Sequence, residues 1–479
     1  MATISSPGVG SGLDVNSIVT QLVAIERQPI VQLQTQATSL QTKLSAFGKL
    51  QSDLSALRDA ASALTSPSTW NQTSGTSSDT ASVNVTTDTT NLPGTYSVQV
   101  TQLAQSQSNI SKTYSAATDL VGEGTIHIEL GTWGAGNSFT AKPGATAIDI
   151  SVGPPAKSLA EVRDMVNAAN AGITATVLSD ASGSRLVFRS SATGAVNGFK
   201  ITVTDADSNN VDTSGLSALA YDPSVGVVTM AQALAAANAS ALINGAPVSS
   251  TSNTLTNVVD GMTLQLQQVT TAPVQVTTAA DQDAIRKKVE AFVTAYNDLN
   301  NELATQTKYD PASKTAGTLQ GDSTAVSLRT SLRNTLRGNS AASTTFTRLA
   351  DIGFDVQQDG SIKLDSKKLA NALANLGEMK KLFSNTDVAV PANNGFATLF
   401  RTQADQAMGV AGSIASRSDG LRDSISRNEK RQAELEARVA LTEARLRKQY
   451  TTLDAQMGQL QSLSTYVTQQ MAVLTNSKG

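Results

Sequence analysis

The sequence contains no cysteine, which excludes disulfide cross-links, thiolate metal sites and cysteine nucleophiles outright. Histidine is nearly as scarce. His127 is the only one, so no second imidazole exists to complete a usual metal or acid–base site, and its place in an alternating run reads as an ordinary strand residue. Charge of one sign is lacking too: the net charge is -3 and no basic run is sustained, which argues against the clustered Lys and Arg that a nucleic-acid footprint needs. The cations between Arg427 and Lys448 are interleaved with Glu429, Glu434, Glu436 and Glu443, the pattern of solvated i,i+4 pairs on a helix. No stretch approaches the ~18 to 20 apolar residues of a membrane helix, so no membrane insertion is expected. The first twenty residues lack a basic segment and an apolar core, so no cleaved secretory signal is expected. Composition alone leaves open a cytosolic protein and one exported without a cleaved signal. Aromatics make up 4% of the chain against 40% hydrophobic residues, so the core must be aliphatic.

What the sequence does have is helical periodicity at both ends. Ile425, Gln432, Val439, Leu446, Leu453, Leu460, Val467 and Leu474 recur every seventh residue, and Leu421, Leu435, Tyr450, Met457 and Met471 form a second row beside them. At the other end Ile18, Leu22 and Ile25, then Leu33, Ala37, Leu40, Leu44, Phe47, Leu50, Leu54, Leu57, Ala61 and Leu64, keep a 3/4 spacing. An antiparallel pair within one chain would need the same pattern. A helix of about 50 residues, however, is ~75 Å long and exceeds what one small domain can cover, so contacts between chains are the favoured reading.

Between the ends the period changes. Asp14 or Asn16 can cap a first helix, Pro29 interrupts it near Arg27, and a long helix is predicted from about residue 30 to 64. Pro67 and the Ser/Thr-rich run to Thr80 mark its exit. Alternating strands are predicted at 82–86, 96–100, 126–130, 148–152, 173–178, 186–188 and 199–203. Ser158 and Glu161 form a capping box for one helix among them. Strands resume at 241–243 before Asn244-Gly245, at 262–269 after Asp260-Gly261, and at 274–277. Helical spacing returns at Ile285, Val289, Phe292, Tyr296, Leu299 and Leu303, followed by predicted helices at 323–337, 366–383 and 395–410 and a hairpin about Asp359-Gly360. At 479 residues there is room for about three or four domains. The expected fold is α+β and multidomain: long terminal helices forming a coiled-coil stalk, with a β-rich α+β insertion of two subdomains.

Chemical motifs are weak. Gly8-Val9-Gly10-Ser11-Gly12 has no preceding strand and its third glycine comes too early for a dinucleotide loop. Asp205, Asp207 and Asn209 have calcium-loop spacing, but Asn210 and Leu216 stand where glycine and glutamate belong, so solvated loop acids are expected. Nothing selects a pair of carboxylates for glycoside hydrolysis. No catalytic, cofactor or metal site is predicted.

Particular segments resemble the bacterial flagellar filament cap (hook-associated protein 2) family. They are Gly10-Ser11-Gly12-Leu13-Asp14-Val15 with Ile18-Val19, Glu26-Arg27-Gln28-Pro29, Leu92 to Val98, Ile243-Asn244-Gly245, Val259 to Leu264, Phe292 to Leu299, Leu349 to Phe354, and Gln461 to Met471. The match covers both ends and the insertion boundaries and is weakest over residues 126–239. The resemblance implies a non-enzymatic homo-oligomer, a pentamer-like ring, at the distal tip of the growing flagellum, which retains exported flagellin and promotes its folding and polymerisation. It implies secretion by flagellar type III export, a cytoplasmic export chaperone on the C-terminal helix, and contact with hook–filament junction proteins. The corresponding layout is an N-terminal leg (1–42), a helical domain in two parts (43–75 and 280–420), a β-rich domain in two parts (76–124 and 236–279), an outer α+β lobe (125–235) and a C-terminal leg (421–479). Ile18, Leu22, Ile25, Leu446, Leu453, Leu460, Val467 and Leu474 are the expected oligomer or filament contacts, and Gly10, Gly12, Leu13, Asp14, Glu26, Arg27 and Pro29 carry the family motif. A flagellin-like filament subunit and an outward-facing carbohydrate-binding adhesin are the alternatives.

Overall fold

The computed structural model describes residues 14–476, with side chains described to residue 473. Helices α1 (Val15–Glu26), α2 (Gln28–Thr65) and the single turn α3 (Pro67–Trp70) precede an insertion whose helix is α4 (Leu159–Ala169). After it come α5 (Gln282–Thr307), α6 (Ser323–Arg337), α7 (Ser366–Leu373), α8 (Leu376–Ser384), α9 (Phe396–Met408) and α10 (Ser413–Asn476). The chain divides into two compact units, residues 1–70 with 283–479 and residues 71–282.

The first unit is helical. Leu50, Leu54 and Leu57 of α2 share one cluster with Phe292 and Tyr296 of α5, Leu328 and Leu332 of α6, and Phe396 and Phe400 of α9. Phe400 sits edge-on to both Phe292 and Tyr296, at centroid distances of 5.3 and 5.8 Å. Three of the unit's aromatic rings thus meet at one point of its otherwise largely aliphatic core. The α6 start is fixed twice: Asp322 caps it by accepting from the Thr324 and Ala325 amides, and Arg417 of α10 holds the same carboxylate at 2.8 Å. The predicted hairpin forms, Phe354–Val356 with Ile362–Leu364, about Gly360 at φ 89°. The single helix expected over 366–383 is instead α7 and α8. Asn375 leaves helical geometry (φ -117°, ψ 67°), which lets Leu369 and Leu373 on one side of the break and Leu382 and Phe383 on the other enter the same core.

The second unit contains two hydrophobic clusters. One lies within a five-stranded antiparallel sheet, ordered Thr73–Ser77, Val274–Ala280, Gly94–Gln102, Ala239–Ile243, Ala246–Ser250, and a three-stranded sheet of Thr254–Val259, Met262–Leu266 and Val83–Thr87. Asn244 (φ 49°) and Gly245 (φ 83°) make the tight turn their sequence predicts. Strand Thr73–Ser77 falls in the stretch expected to be a helix exit. It carries no apolar side chain, yet pairs in full register from Thr73↔Ala280 to Ser77↔Val276, and a Cβ at Gly75 would lie 2.7 Å from the Val85 methyls. The pairing partner and the close neighbour make it a strand, and neither is visible locally.

The other cluster draws on residues 121–230, centred on the strand Leu120–Trp133, which pairs with Gly198–Asp205 and Ile148–Ser158. The α4 capping box is present, and Leu159, Val162 and Val166 pack towards Phe188 and Phe199. His127 meets Asp149 across the strand pair at 2.5 Å. Asp205 is not a solvated loop acid. It is buried, and its Oδ2 accepts from the Ser217 amide (2.7 Å) and hydroxyl (3.0 Å), so the carboxylate organises the turn that follows its strand. Among the described residues no group of His, Asp and Glu is placed to hold a metal ion, and no helix is long and apolar enough to cross a membrane.

Two stability predictions follow from these contacts. Asp205→Ala strands the buried Ser217 amide and is expected to lower local stability of the cluster of residues 121–230 by about 1 to 3 kcal/mol, read as lost hydrogen-exchange protection over residues 198–219. Glu378 accepts from Lys381 (2.7 Å), Ser343 (2.7 Å) and Thr344 (2.8 Å), which holds its carboxyl down at about 2 from an ordinary 4.5. A depressed carboxyl stabilises fully above its unfolded value and loses that contribution as pH falls towards the folded one. The melting-temperature gap between the unsubstituted chain and Glu378→Gln should therefore be steady above about pH 5 and narrow continuously below it. A gap widening in acid would contradict the assignment.

Candidate assembly surface on the terminal helices

Asp14 starts α1 as predicted, its Oδ1 accepting from the Ser17 amide at 3.0 Å. At the other end the motif Glu26-Arg27-Gln28-Pro29 is the joint between α1 and α2. Arg27 closes one helix and opens the next while staying right-handed (φ -79°, ψ -14°), and Pro29 sits in the first turn of α2, where a missing amide hydrogen costs nothing. Glu26, Arg27 and Pro29 are exposed. Gly10, Gly12 and Leu13 lie outside the described residues.

Helix α1 is apolar on more than one side, and the two sides have different fates. Val15, Val19 and Val23 are buried, and with Ile30 of α2 they form a small cluster with Val439, Leu435, Leu446 and Tyr450 of α10. A hydrogen bond from Arg447 to the Asn16 side chain (3.0 Å) and an ion pair from Arg447 to Glu443 (2.8 Å) flank it. The expected row Ile18, Leu22, Ile25 is not that contact: Ile18 is half-buried, Leu22 is exposed and Ile25 is 62% exposed. Sequence periodicity missed the Val15–Val19–Val23 row because an apolar face wide enough to carry two adjacent rows satisfies more than one stripe. The fourfold spacing of three valines was the available signal.

On α10 the heptad row is likewise split. Val439 is buried and Leu446 is half-buried, and Leu421 of the neighbouring row is buried. The Gln432 break is polar on both sides of one turn, since its amide donates to the buried Asn428 at 2.5 Å. Beyond Tyr450 the row emerges: Leu453, Leu460 (60%) and Val467 are exposed, together with Leu463 and Tyr466, and none belongs to a hydrophobic cluster among the described residues. The Leu474 side chain lies outside the described residues. Isolated exposed leucines are ordinary, but a heptad row that continues past its cluster is, among the described residues, a helix seam outside any hydrophobic core. The arrangement offers an apolar binding surface.

Comparison with known proteins gives this surface its context. Residues 11–107 match the model of the flagellar hook-associated protein 2 N-terminus, and residues 236–462 that of its C-terminus. The chain is 31% identical to the flagellar hook-associated protein 2 of Escherichia coli K12, covering all of both chains. It is 30% identical to the A-type flagellar hook-associated protein 2 of Pseudomonas aeruginosa, covering 98% of this chain and 97% of that one. The crystal structure of the D1-D2-D3 domains of the flagellar cap protein from E. coli superposes with a TM-score of 0.59 at 28% identity, covering 79% of this chain and 99% of that one. Likeness of this extent, running through both helical ends and the β-rich middle, means that the chain belongs to the flagellar hook-associated protein 2 family, the family of the filament cap.

Proposed function

We propose that this chain caps the growing flagellar filament as a homo-oligomeric, pentamer-like ring at its distal tip, where it retains exported flagellin and promotes its folding and polymerisation. The observation that carries this reading is the pair of apolar rows left outward on α1 and on α10 beyond Tyr450, at the two ends of the same chain. Residues 1–42 and 421–479 act as legs engaging neighbouring subunits, flagellin and hook–filament junction proteins. Residues 43–75 with 280–420, 76–124 with 236–279, and 125–235 serve as the helical, inner β-rich and outer domains. During type III export an apolar seam of this kind needs cover in the cytoplasm, a role suited to a chaperone on the C-terminal helix. Ile18, Leu22, Ile25, Leu453, Leu460 and Val467 are the residues assigned to intermolecular contact. Leu446 belongs at the inner edge of the same seam, with Leu474 as its outward continuation in sequence.

Exposure in the single chain makes the seam testable without a folding artefact. Leu460→Asp should leave the melting profile within about 0.5 kcal/mol of the original, because the side chain is already in solvent. In the assembled tip the carboxylate must be desolvated or the contact opened, at a cost of several kcal/mol. A strain carrying it should secrete unpolymerised flagellin into the medium, whereas Gln459→Asp, off both rows, should give normal filaments. Equal behaviour of the two strains would overturn the assignment of the α10 seam.

The two rows of α1 can be separated in the same way. Val19→Asp should undock α1 from α10, seen as loss of hydrogen-exchange protection over residues 15–26 with the α5 core unaffected. Ile25→Asp should leave that protection intact and still impair filament growth. Filament growth unaffected by Ile25→Asp would show that only the inner face of α1 matters.

A further inference from the structure

Helix α6 carries a charge pattern that the packing around it does not explain. Its fifteen residues include Arg329, Arg333 and Arg337 and no Asp or Glu. Spaced by four, the three arginines share one face of the helix, where like charges repel. Arg337 has an ordinary reason to be there, because a cation in the last turn complements the helix dipole. Arg329, about two turns back, has none. Among the described residues no carboxylate lies within ion-pair distance of any of the three.

Arg329 and Arg333 are half-buried rather than turned out into solvent. Arg333 lies across the tip of the hairpin: its Nη2 donates to the Asp359 carbonyl and, at 3.4 Å, to the Asn300 side chain, and Gly360 leaves it the room that a Cβ would take. Its Nε is buried without an acceptor, and so is the Nε of Arg329, whose guanidinium makes no hydrogen bond to any described residue. Burial and the neighbouring Arg333 both hold Arg329 below the ordinary guanidinium value. The Asp359 carboxylate acts on Arg329 from beyond ion-pair distance and is committed elsewhere, since its Oδ1 accepts from the Ser361 amide at 2.9 Å and hydroxyl at 2.7 Å. Tyr296, 1% exposed, has a hydroxyl that also lacks a partner. Burial pushes this phenol up to about 12 while Arg333, Arg337 and Arg329 act in the opposite direction, so all three cations are within electrostatic reach of one buried hydroxyl.

Half-buried cations and buried N–H donors without an acceptor are costly unless an anion meets them. Two forked guanidiniums one turn apart also define which anion fits: a carboxylate satisfies one fork with its two oxygens, whereas a tetrahedral dianion has oxygens and charge for both. We propose that Arg329 and Arg333 form a binding site for a divalent oxyanion of the phosphate or sulfate type, with the exposed Arg337 adding charge at its outer end. The site is independent of capping: it uses neither the terminal helices nor an assembled tip. A bound dianion removes the repulsion along α6 and stabilises the helical unit by binding only its folded form.

The full chain tests this without any substitution. Phenylglyoxal modifies accessible guanidinium groups, and mass spectrometry reads which arginines are labelled. Phosphate or sulfate, compared with chloride at matched ionic strength, should slow labelling of Arg329 and Arg333 by at least about threefold, with half the effect near about 1 mM. Labelling of Arg427, which lies on α10 among other cations, Lys430 and Arg431, should not change. Calorimetry with phosphate should give saturable binding that Arg329→Gln weakens by about tenfold or more and that Arg329→Lys, which keeps the charge and loses the fork, weakens less. No slowing at Arg329, or equal slowing at Arg427 as from a general ion atmosphere, would overturn the proposal. So would saturable heat unchanged by Arg329→Gln, or protection of Arg329 that rises with chain concentration and not with phosphate, which would mean that a carboxylate of a second copy covers the row.

Discussion

The architecture depends on one long-range closure: α2, read before the insertion, must pack on α5 and α9, read after it. Leu50, Leu54 and Leu57 have no core without Phe292, Tyr296 and Phe400. Bringing together segments more than 200 residues apart, rather than about ten, costs about 3 kcal/mol of extra loop entropy if the intervening chain is flexible. The insertion removes much of that cost by its own folding. Its first strand pairs with its last, Thr73 opposite Ala280, and the Asp281 amide donates to the Gln72 carbonyl at 2.8 Å, so a folded insertion presents its two ends side by side. The second cluster of the insertion repeats the device one level down. It occupies residues 121–230 between strands Gly94–Gln102 and Ala239–Ile243, which are themselves neighbours in a sheet.

That nesting explains which parts of the structure were legible in the sequence. Elements whose signal is local were readable: the Ser158–Glu161 capping box, the Asn244-Gly245 and Asp359-Gly360 turns, the Asp322-capped helix and the Pro29 joint each carry their own chemistry within four residues. Elements defined by a distant partner were not. Thr73–Ser77 is a strand because Val274–Ala280 supplies its hydrogen bonds, and Asp205 is buried because Ser217, twelve residues on, folds back over it. The break at Asn375 is of the same kind, since two short helices reach a core that one straight helix could not.

The terminal surface was half legible for a different reason. Periodicity reports that a helix face is apolar, and it does not report which partner covers it. On α1 two adjacent stripes compete, and the valine stripe is taken by α10 while the Ile18–Leu22–Ile25 stripe is left. On α10 the same row is buried at Val439 and exposed at Leu460, with no change in spacing to mark the transition. Charge does mark it. Residues 413–448 carry fifteen charged side chains and residues 449–476 carry one, Asp454.

This change of composition goes with a difference in how firmly the two parts of α10 are held. The contact holding α1 to α10 rests on five buried aliphatic residues, of which three sit on a twelve-residue helix, a length at which helices are marginal in water without a partner. The core joining α2, α5 and α9 is far larger, so the contact of α1 with α10 opens at a much lower free energy than that core. Beyond Tyr450, Gln, Thr and Ser separate the exposed apolar residues, so each heptad contributes one or two hydrophobic contacts and almost no ion pairs. Binding spread over many small, uncharged contacts can be surrendered a turn at a time, at a fraction of the total free energy per step. A helix end built this way can give up one contact while keeping the others, so release does not require breaking the whole surface at once.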